Sequence, residues 1–150
     1  MSIEEILLAE QNGEYLAKNW YYQDILGAIE QDVILAFESA AEFLGLTTGN
    51  FLTDVHVYSA CDLPAPFVVH PVASLEGIEF VELNGCNVAS VNQTANDLLS
   101  SNDVDLQILL EFLGMYYYKH EESFEGLEIG ERNRERFDEV REWAIAYWDE

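Results

Sequence analysis

The chain has 150 residues, of which 49% are hydrophobic and 13% aromatic, so it can bury the core of a globular domain and does not have the composition of a disordered protein. Its 29 acidic residues outnumber 6 basic ones, which gives a net charge of −23. This charge argues against nucleic acid and anionic membranes as direct ligands. We expect one acidic domain over residues 1–150, with a basic protein surface as its natural partner.

The N-terminal third of the chain predicts helices. Ser2 and Glu5 have the spacing of a capping box, which indicates a helix over residues 2–11. Residues 23–44 carry apolar side chains three and four positions apart, which is typical of one long amphipathic helix. Gly45 follows directly and should end that helix, because glycine accepts the left-handed conformation found after a helix C-terminus.

The middle of the chain predicts a sheet. Residues 51–59 alternate with a period of two, with Val55 and Val57 on one face. Asn84 and Gly85 form the strongest short-range turn signal and should join two strands of a hairpin. The four predicted strands cover residues 51–59, 67–69, 78–83 and 86–91. We therefore expect an α+β fold, in which a small antiparallel sheet of about four strands (residues 51–91) is packed by N-terminal and C-terminal helices.

Three helices are expected after the sheet. Asn92 should cap the first of them, and Asn102 or Asp103 the second. Residues 121–130 are polar and contain two glycines, so they predict an exposed loop. A last helix over residues 131–148 should bury one apolar stripe. This stripe consists of Phe137, Val140, Trp143, Ala144 and Tyr147.

Four of the six basic residues lie in the last predicted helix. Arg134 is four positions before Asp138, and Arg136 is three positions before Glu139. Residues at these spacings are neighbours on a helix surface, so the sequence predicts intrahelical ion pairs.

The histidines form no known catalytic or metal-binding motif. His56, His70 and His120 lie far apart in the sequence, and motifs such as HExxH depend on a fixed spacing. We therefore expect no catalytic residue, no metal site, no cofactor and no enzymatic activity. An enzymatic alternative would need His56, His70 and a cysteine or carboxylate within about 3 Å of one another.

Cysteine usage and the N-terminus bear on localisation. Cys61 and Cys86 form neither a disulfide framework nor a Cys-x-x-Cys pair. The N-terminus lacks the basic region of a signal peptide, and no apolar run approaches the roughly 18 residues of a spanning helix. We expect a cytoplasmic protein without membrane contact.

Acidic and aromatic residues near the C-terminus are the candidate partner-binding residues. An ordinary acidic protein would use such residues only for solubility. At a net charge of −23, however, self-repulsion makes a basic partner the better explanation. Neighbouring tyrosines suit an interface, although core packing explains them at least as well. The predicted residues are Glu121, Glu122, Glu125, Glu128, Glu131, Glu135, Asp138, Glu139, Glu142, Tyr116, Tyr117 and Tyr118.

Four segments of the chain form a recognisable series: residues 48–58, residues 67–71, Asn84-Gly85 with the helix after Asn92, and Val140-Arg141-Glu142-Trp143-Ala144. In this series the chain resembles the antirestriction family of plasmid and phage proteins called ArdB or KlcA. The order and approximate spacing of the segments agree with the family over residues 30–147. The chain departs from the family at residues 49–50, where Gly-Asn replaces a double glycine. It also departs at residues 60–64, where Ala-Cys-Asp-Leu-Pro replaces a Ser-Asn-Gly-Gly step.

The resemblance implies a small protein of a mobile genetic element that blocks host restriction without being an enzyme. We accordingly expect an acidic inhibitor whose negative surface blocks a nucleic-acid-targeting defence complex, of the restriction or CRISPR kind. DNA mimicry is one way for it to do so. The alternative is an immunity protein that neutralises a basic nuclease toxin, because such toxins also suit an acid-rich inhibitor.

Overall fold

The computed structural model describes residues 2–9, 13–47, 54–102 and 104–148. Its helices are α1 (Ile3–Ala9), α2 (Gly13–Gly27), α3 (Phe37–Phe43), α4 (Val91–Ser100), α5 (Leu106–Lys119) and α6 (Glu131–Trp148). Its strands are β1 (Ile34–Leu35), β2 (Val55–Ser59), β3 (Phe67–Pro71), β4 (Phe80–Leu83) and β5 (Cys86–Ala89). The predicted α+β class is confirmed.

The sheet has five strands in the order β3-β2-β1-β5-β4. Two neighbouring pairs are antiparallel, β1 with β2 and β4 with β5, whereas β2 with β3 and β1 with β5 are parallel. The prediction of a four-stranded, wholly antiparallel sheet is therefore wrong in these details. Residues 60–66 can return the chain to the start of β2, because each extended residue reaches about 3.3 Å. A short connection thus allows a parallel pair here.

The fifth strand lies inside the segment predicted as one long helix. Ile34 and Leu35 are fully buried at the centre of the sheet, between β2 and β5. Apolar residues recur at three and four positions both before and after β1, because α2 and α3 each bury an apolar side. The pattern therefore looks continuous in the sequence although a strand interrupts it. Gly45 does end α3 as predicted, with φ +74. Its N–H donates to the Glu42 carbonyl at 3.0 Å, and Leu46 N–H donates to the Ala41 carbonyl at 2.9 Å.

Local capping signals predicted the starts of helices within a few residues. The Ser2–Glu5 capping box forms, with Glu5 N–H donating to Ser2 Oγ at 3.1 Å and Ser2 N–H donating to Glu5 Oε1 at 3.2 Å. Ser90, not Asn92, caps α4 by accepting from Gln93 N–H at 3.1 Å. Asp105 caps α5. Of the two predicted caps for α5, Asn102 does not fill this role, and Asp103 lies outside the described residues.

The Asn84-Gly85 turn is confirmed, since both residues have positive φ, 52 and 82, and the turn joins the antiparallel strands β4 and β5. One continuous core joins β1, β2 and β5 to α3, α4, α5 and α6. Within the described residues, no helix has both the length and the hydrophobicity needed to cross a membrane.

Candidate functional site

Helix α6 presents four carboxylates on the side that faces away from the core. Glu131, Glu135, Asp138 and Glu142 are all exposed. At 3.6 residues per turn they fall within an arc of about 60°, and they span about 17 Å of the helix axis. We call these four residues the acidic face. The buried residues of α6 lie on the opposite side of the helix and are Asn133, Phe137, Val140 and Ala144.

Two aromatic residues predicted to be buried lie at the edges of this helix instead. Trp143 is 57% exposed and Tyr147 is 37% exposed. Trp143 lies three residues after the buried Val140, and Tyr147 lies three residues after the buried Ala144. A three-residue step turns the helix by only about 300°, so a side chain at this spacing can lie at the border of the buried stripe instead of inside it. Trp143 follows directly after the acidic face residue Glu142.

Two arginines of α6, Arg134 and Arg136, are engaged away from the acidic face, whereas Arg141 Nε lies 3.9 Å from Oε1 of the acidic-face residue Glu142. Arg136 donates to the Ser101 carbonyl at 3.1 Å and also to the Leu99 carbonyl. These carbonyls lie at the C-terminus of α4, where the helix dipole favours a cation. The Arg134 guanidinium lies 5.7 Å from the centre of the Phe137 ring. Both side chains are thus engaged elsewhere than in the predicted pairs with Asp138 and Glu139, because exposed helical ion pairs are worth only about 0.3–0.5 kcal/mol.

The loop before α6 carries four more predicted partner-binding carboxylates. Glu121, Glu122, Glu125 and Glu128 are all exposed, and we call residues 121–130 the acidic loop. Glu139, the remaining predicted carboxylate, is exposed on α6 beside the acidic face. The predicted acidic residues therefore all reach solvent.

The three predicted tyrosines occupy different environments. Tyr116 is buried, and its hydroxyl donates to the Glu125 carbonyl at 2.7 Å. Tyr117 is half-buried, and its ring centre lies 5.0 Å from that of Phe124. The Tyr118 hydroxyl donates to the Ile145 carbonyl at 3.1 Å. Tyr116 is thus placed to hold the acidic loop rather than to touch a partner.

Replacing Tyr116 by phenylalanine should loosen the acidic loop without disturbing the core. The variant loses one buried hydrogen bond and should cost about 1 kcal/mol of unfolding free energy. Amide hydrogen exchange should accelerate at residues 125–127. Tyr117→Phe is the matched control, and equal exchange rates in the two variants would contradict this role for the Tyr116 hydroxyl.

Asn96 ties the second half of the acidic loop to α4. Its amide Nδ2 donates to the Glu128 carbonyl at 2.9 Å and to the Asn92 carbonyl at 2.8 Å. Its Oδ1 accepts from Gly130 N–H at 2.7 Å and from Asn133 Nδ2 at 3.0 Å. The amide therefore uses all of its usual hydrogen-bonding capacity to hold the backbone that leads into α6.

A cluster of titratable side chains lies where α3 meets the strands β2 and β3. His56 Nδ1 lies 2.9 Å from His70 Nε2, and His56 Nε2 lies 3.3 Å from Glu38 Oε2. We call Glu38, His56 and His70 the histidine cluster. The parallel register of β2 and β3 pairs Tyr58 with His70, which places the His56 and His70 side chains diagonally on one face of the sheet.

The two imidazoles point straight at each other. Their ring centres are 5.2 Å apart, about the largest separation that a 2.9 Å contact between two ring nitrogens allows. The nitrogens therefore share a hydrogen bond instead of converging on a common point. The Glu38 carboxylate favours a proton on His56 Nε2, so His56 Nδ1 accepts and His70 Nε2 donates. Consistent with this geometry, no group of three or more potential ligands in the described residues could hold a metal ion.

Two adjoining clefts open around Phe37, the first helical residue of α3. The first, which we call the histidine cleft, has a volume of about 260 Å³. It is lined by Phe37, Glu38, His56, His70, Ser100, Ser101 and Val104. The second has a volume of about 370 Å³ and shares Phe37 and Ser100 with the first, while Tyr58, Asp97 and Arg132 lie in its wall. Phe37 has φ +53, and its ring stacks on His70 with centres 4.0 Å apart.

Asp97 is a buried carboxylate in the wall of the second cleft. Burial raises the pKa of Asp97 to about 6, against the opposing effect of hydrogen bonds from Tyr58 and Gln93. The Gln93 amide donates to Asp97 Oδ1 at 3.0 Å. Burial and the nearby Asp97 charge together raise the pKa of the Tyr58 phenol. Perturbed groups of this kind, beside a cleft, are common at functional sites.

The raised pKa of Asp97 predicts a pH dependence of stability. The folded state binds the proton more tightly than the unfolded state, whose carboxyl titrates near pH 4, so stability falls as the pH rises from about 4 to about 6 and stays lower above that. Asp97→Asn should remove this loss and raise the unfolding free energy at pH 7 by about 1 kcal/mol, since burying a neutral amide costs less than burying a charge. Chemical denaturation of both proteins across this pH range measures the difference between their unfolding free energies. The pH dependence that comes from the other acidic residues is common to both proteins and cancels in this difference. A difference that did not change with pH would contradict the assignment.

No sequence spacing brings the two histidines of the cluster together. In the structure, His56 lies 2.9 Å from His70 and 3.3 Å from Glu38, close to the roughly 3 Å separation that an acid–base site requires. The cysteines lie elsewhere, Cys61 exposed after β2 and Cys86 buried in β5. The strand register that joins the histidines depends on a parallel pair, which the sequence did not indicate. Absence of enzymatic activity stays a prediction.

Comparison with known proteins does not assign a family. No family model matches the chain, and no curated protein or solved structure matches it.

Proposed function

We propose that the chain is an inhibitor that binds a basic, nucleic-acid-binding surface through the acidic face and the acidic loop. In this proposal the partner is a defence complex of the restriction or CRISPR kind, and the inhibitor comes from a mobile genetic element and acts in the cytoplasm without catalysis. The observation that carries the proposal is the concentration of Glu131, Glu135, Asp138 and Glu142 on the solvent side of α6. Glu142 forms an exposed pair with Arg141 at 3.9 Å, and such a pair contributes little energy and leaves the carboxylate accessible to a partner.

Two further features support a docking role. The acidic loop is held at Glu125 by Tyr116 and at Glu128 and Gly130 by the Asn92 and Asn96 side chains. A backbone ordered in advance loses less entropy on binding. Trp143, an exposed side chain of the same helix, is of the residue type most enriched at the centres of protein interfaces.

The charge density favours a specific protein contact over imitation of duplex DNA. The accessible surface of 8098 Å² leaves about 350 Å² for each of the 23 net charges, whereas a duplex of about 20 Å width has about 110 Å² per charge. Along α6, the acidic face places one charge about every 5.5 Å, against about 1.7 Å along DNA. The immunity-protein alternative shares this kind of contact.

Direct binding measurements test the proposal. Purified restriction and CRISPR complexes and a basic nuclease toxin are titrated with the labelled protein at low and high salt, with and without competing DNA. We expect binding to a defence complex that weakens with salt and is displaced by DNA. Binding only to the nuclease toxin would favour the immunity function, and absence of binding to every complex at low salt would refute the proposal.

A further inference from the structure

The histidine cleft is separate in composition from the acidic surfaces. Its wall combines the Phe37 ring and Val104, which are apolar, with the polar side chains of the histidine cluster and Ser100. It shares no residue with the acidic face or the acidic loop. A role for this cleft is therefore independent of docking to a basic partner.

Phe37 maintains an unfavourable backbone conformation at this position. A non-glycine residue with φ +53 costs of the order of 1–2 kcal/mol. Glycine or asparagine would relieve this strain, yet the chain places a phenyl ring here, where it stacks on His70 and lines both clefts. The backbone conformation therefore does not explain the phenyl ring at position 37, and its role lies in its contacts with His70 and in the walls of the two clefts.

Charges at the histidine cleft select against ionic ligands. The molecule carries a net charge of −23 and repels anions at long range. No lysine or arginine belongs to the described residues that line the cleft, so an anion would find no fixed cation there. The Glu38 carboxylate already contacts His56 at 3.3 Å, so a cation would have to compete with the imidazole. An uncharged ligand avoids both penalties.

Size and wall chemistry narrow the ligand further. A volume of about 260 Å³ lies just below the usual range for ligand clefts, about 300–1,000 Å³, so the cleft suits only a small ligand. His70 covers one face of the Phe37 ring, with ring centres 4.0 Å apart, so an aromatic ligand packs against the part of the ring that lines the cleft. The Glu38 carboxylate, which also lines the cleft, accepts hydrogen bonds and therefore suits a ligand that donates one. The complementary molecule is a small planar ring that carries a hydroxyl or an N–H group.

We propose that the histidine cleft is a binding site for a small, uncharged aromatic molecule with a hydroxyl or ring N–H group, which packs against the part of the Phe37 ring that lines the cleft and donates a hydrogen bond to the Glu38 carboxylate. The competing explanation is that Glu38, His56 and His70 only fasten α3, β2 and β3 together. The two explanations predict different responses of the histidine side chains to added small molecules. A cluster with a purely structural role does not respond to them.

Nitrogen-15 NMR of the histidine side chains tests this proposal on the full chain. Phenol and indole are the probes, and benzoate and benzylammonium are charged controls of similar size. We expect saturable shifts of the His56 and His70 ring nitrogens with phenol or indole, with a Kd of about 1 mM, as is usual for ligands of so few atoms. The charged controls should bind at least about tenfold more weakly, a difference of about 1.4 kcal/mol.

Variants that fill the cleft complete the test. Ser100 is exposed and lines the cleft, so Ser100→Phe should abolish the shifts, whereas Ser74→Phe, at an exposed serine outside the cleft, should leave them unchanged. Val104→Met narrows the cleft from another side by a conservative change and should weaken binding if Ser100→Phe fails to fold. Absence of shifts with both uncharged probes, equal binding of benzoate, or unchanged binding in the folded filling variant would overturn the proposal. None of these outcomes depends on the partner of the acidic face.

Discussion

Replacing Asn96 by alanine should lower the unfolding free energy by about 3 kcal/mol and the Tm by about 10 °C. The change removes the hydrogen bonds to the Glu128 carbonyl, Gly130 N–H and Asn133, and Asn133 is itself buried. Each bond contributes about 1 kcal/mol, and the buried groups left unpaired add a further cost. Alanine recovers only a few tenths of a kcal/mol through its higher helix propensity. Thermal and denaturant unfolding measure the loss.

Asn92→Ala is the graded control for this prediction. Its side chain accepts one hydrogen bond, from Glu128 N–H at 2.8 Å, so the expected loss is about 1 kcal/mol. Hydrogen exchange at residues 128–130 should rise far more in the Asn96 variant than in the Asn92 variant. Equal losses in the two variants would mean that Asn96 does not anchor the acidic loop.

Neutralising the acidic face should weaken binding to the basic partner by about 30-fold. The variant carries Glu131→Gln, Glu135→Gln, Asp138→Asn and Glu142→Gln. Each exposed ion pair across an interface contributes about 0.2–1 kcal/mol, so four changes remove about 2 kcal/mol, which corresponds to that factor. The association rate should also fall and lose much of its salt dependence, because opposite charges steer the encounter. Stopped-flow binding against the complex identified by titration measures both effects.

A second variant controls for net charge. Asp54, Asp62, Glu76 and Glu82 are exposed on or beside the strands, and their conversion to the corresponding amides changes the net charge by the same four units. This variant should keep most of the affinity. If both variants weakened binding equally, the overall charge rather than the acidic face would be responsible, and the proposed docking surface would be wrong.

Elements specified by neighbouring residues were predictable from the sequence. The Ser2–Glu5 box, the Asn84-Gly85 turn, the glycine end of α3 and the extent of α6 depend on contacts within a few positions, so short patterns contain the necessary information. The central strand β1 was not predictable in this way. Ile34 and Leu35 are extended because β2 and β5 pair with them on both sides, and tertiary pairing can override a helical pattern.

The candidate sites also combine features that the sequence determines with features that depend on tertiary structure. The sequence alone determines the net charge of −23 and the solvent exposure of carboxylates in an amphipathic helix, because these depend on composition and local periodicity. Tertiary structure decided that Tyr116 and Asn96 hold the acidic loop and that Arg136 caps α4. It also decided that Glu38, His56 and His70 meet beside a strained Phe37. These contacts join residues 9 to 35 positions apart, and only strand register and helix packing bring such groups within hydrogen-bonding distance.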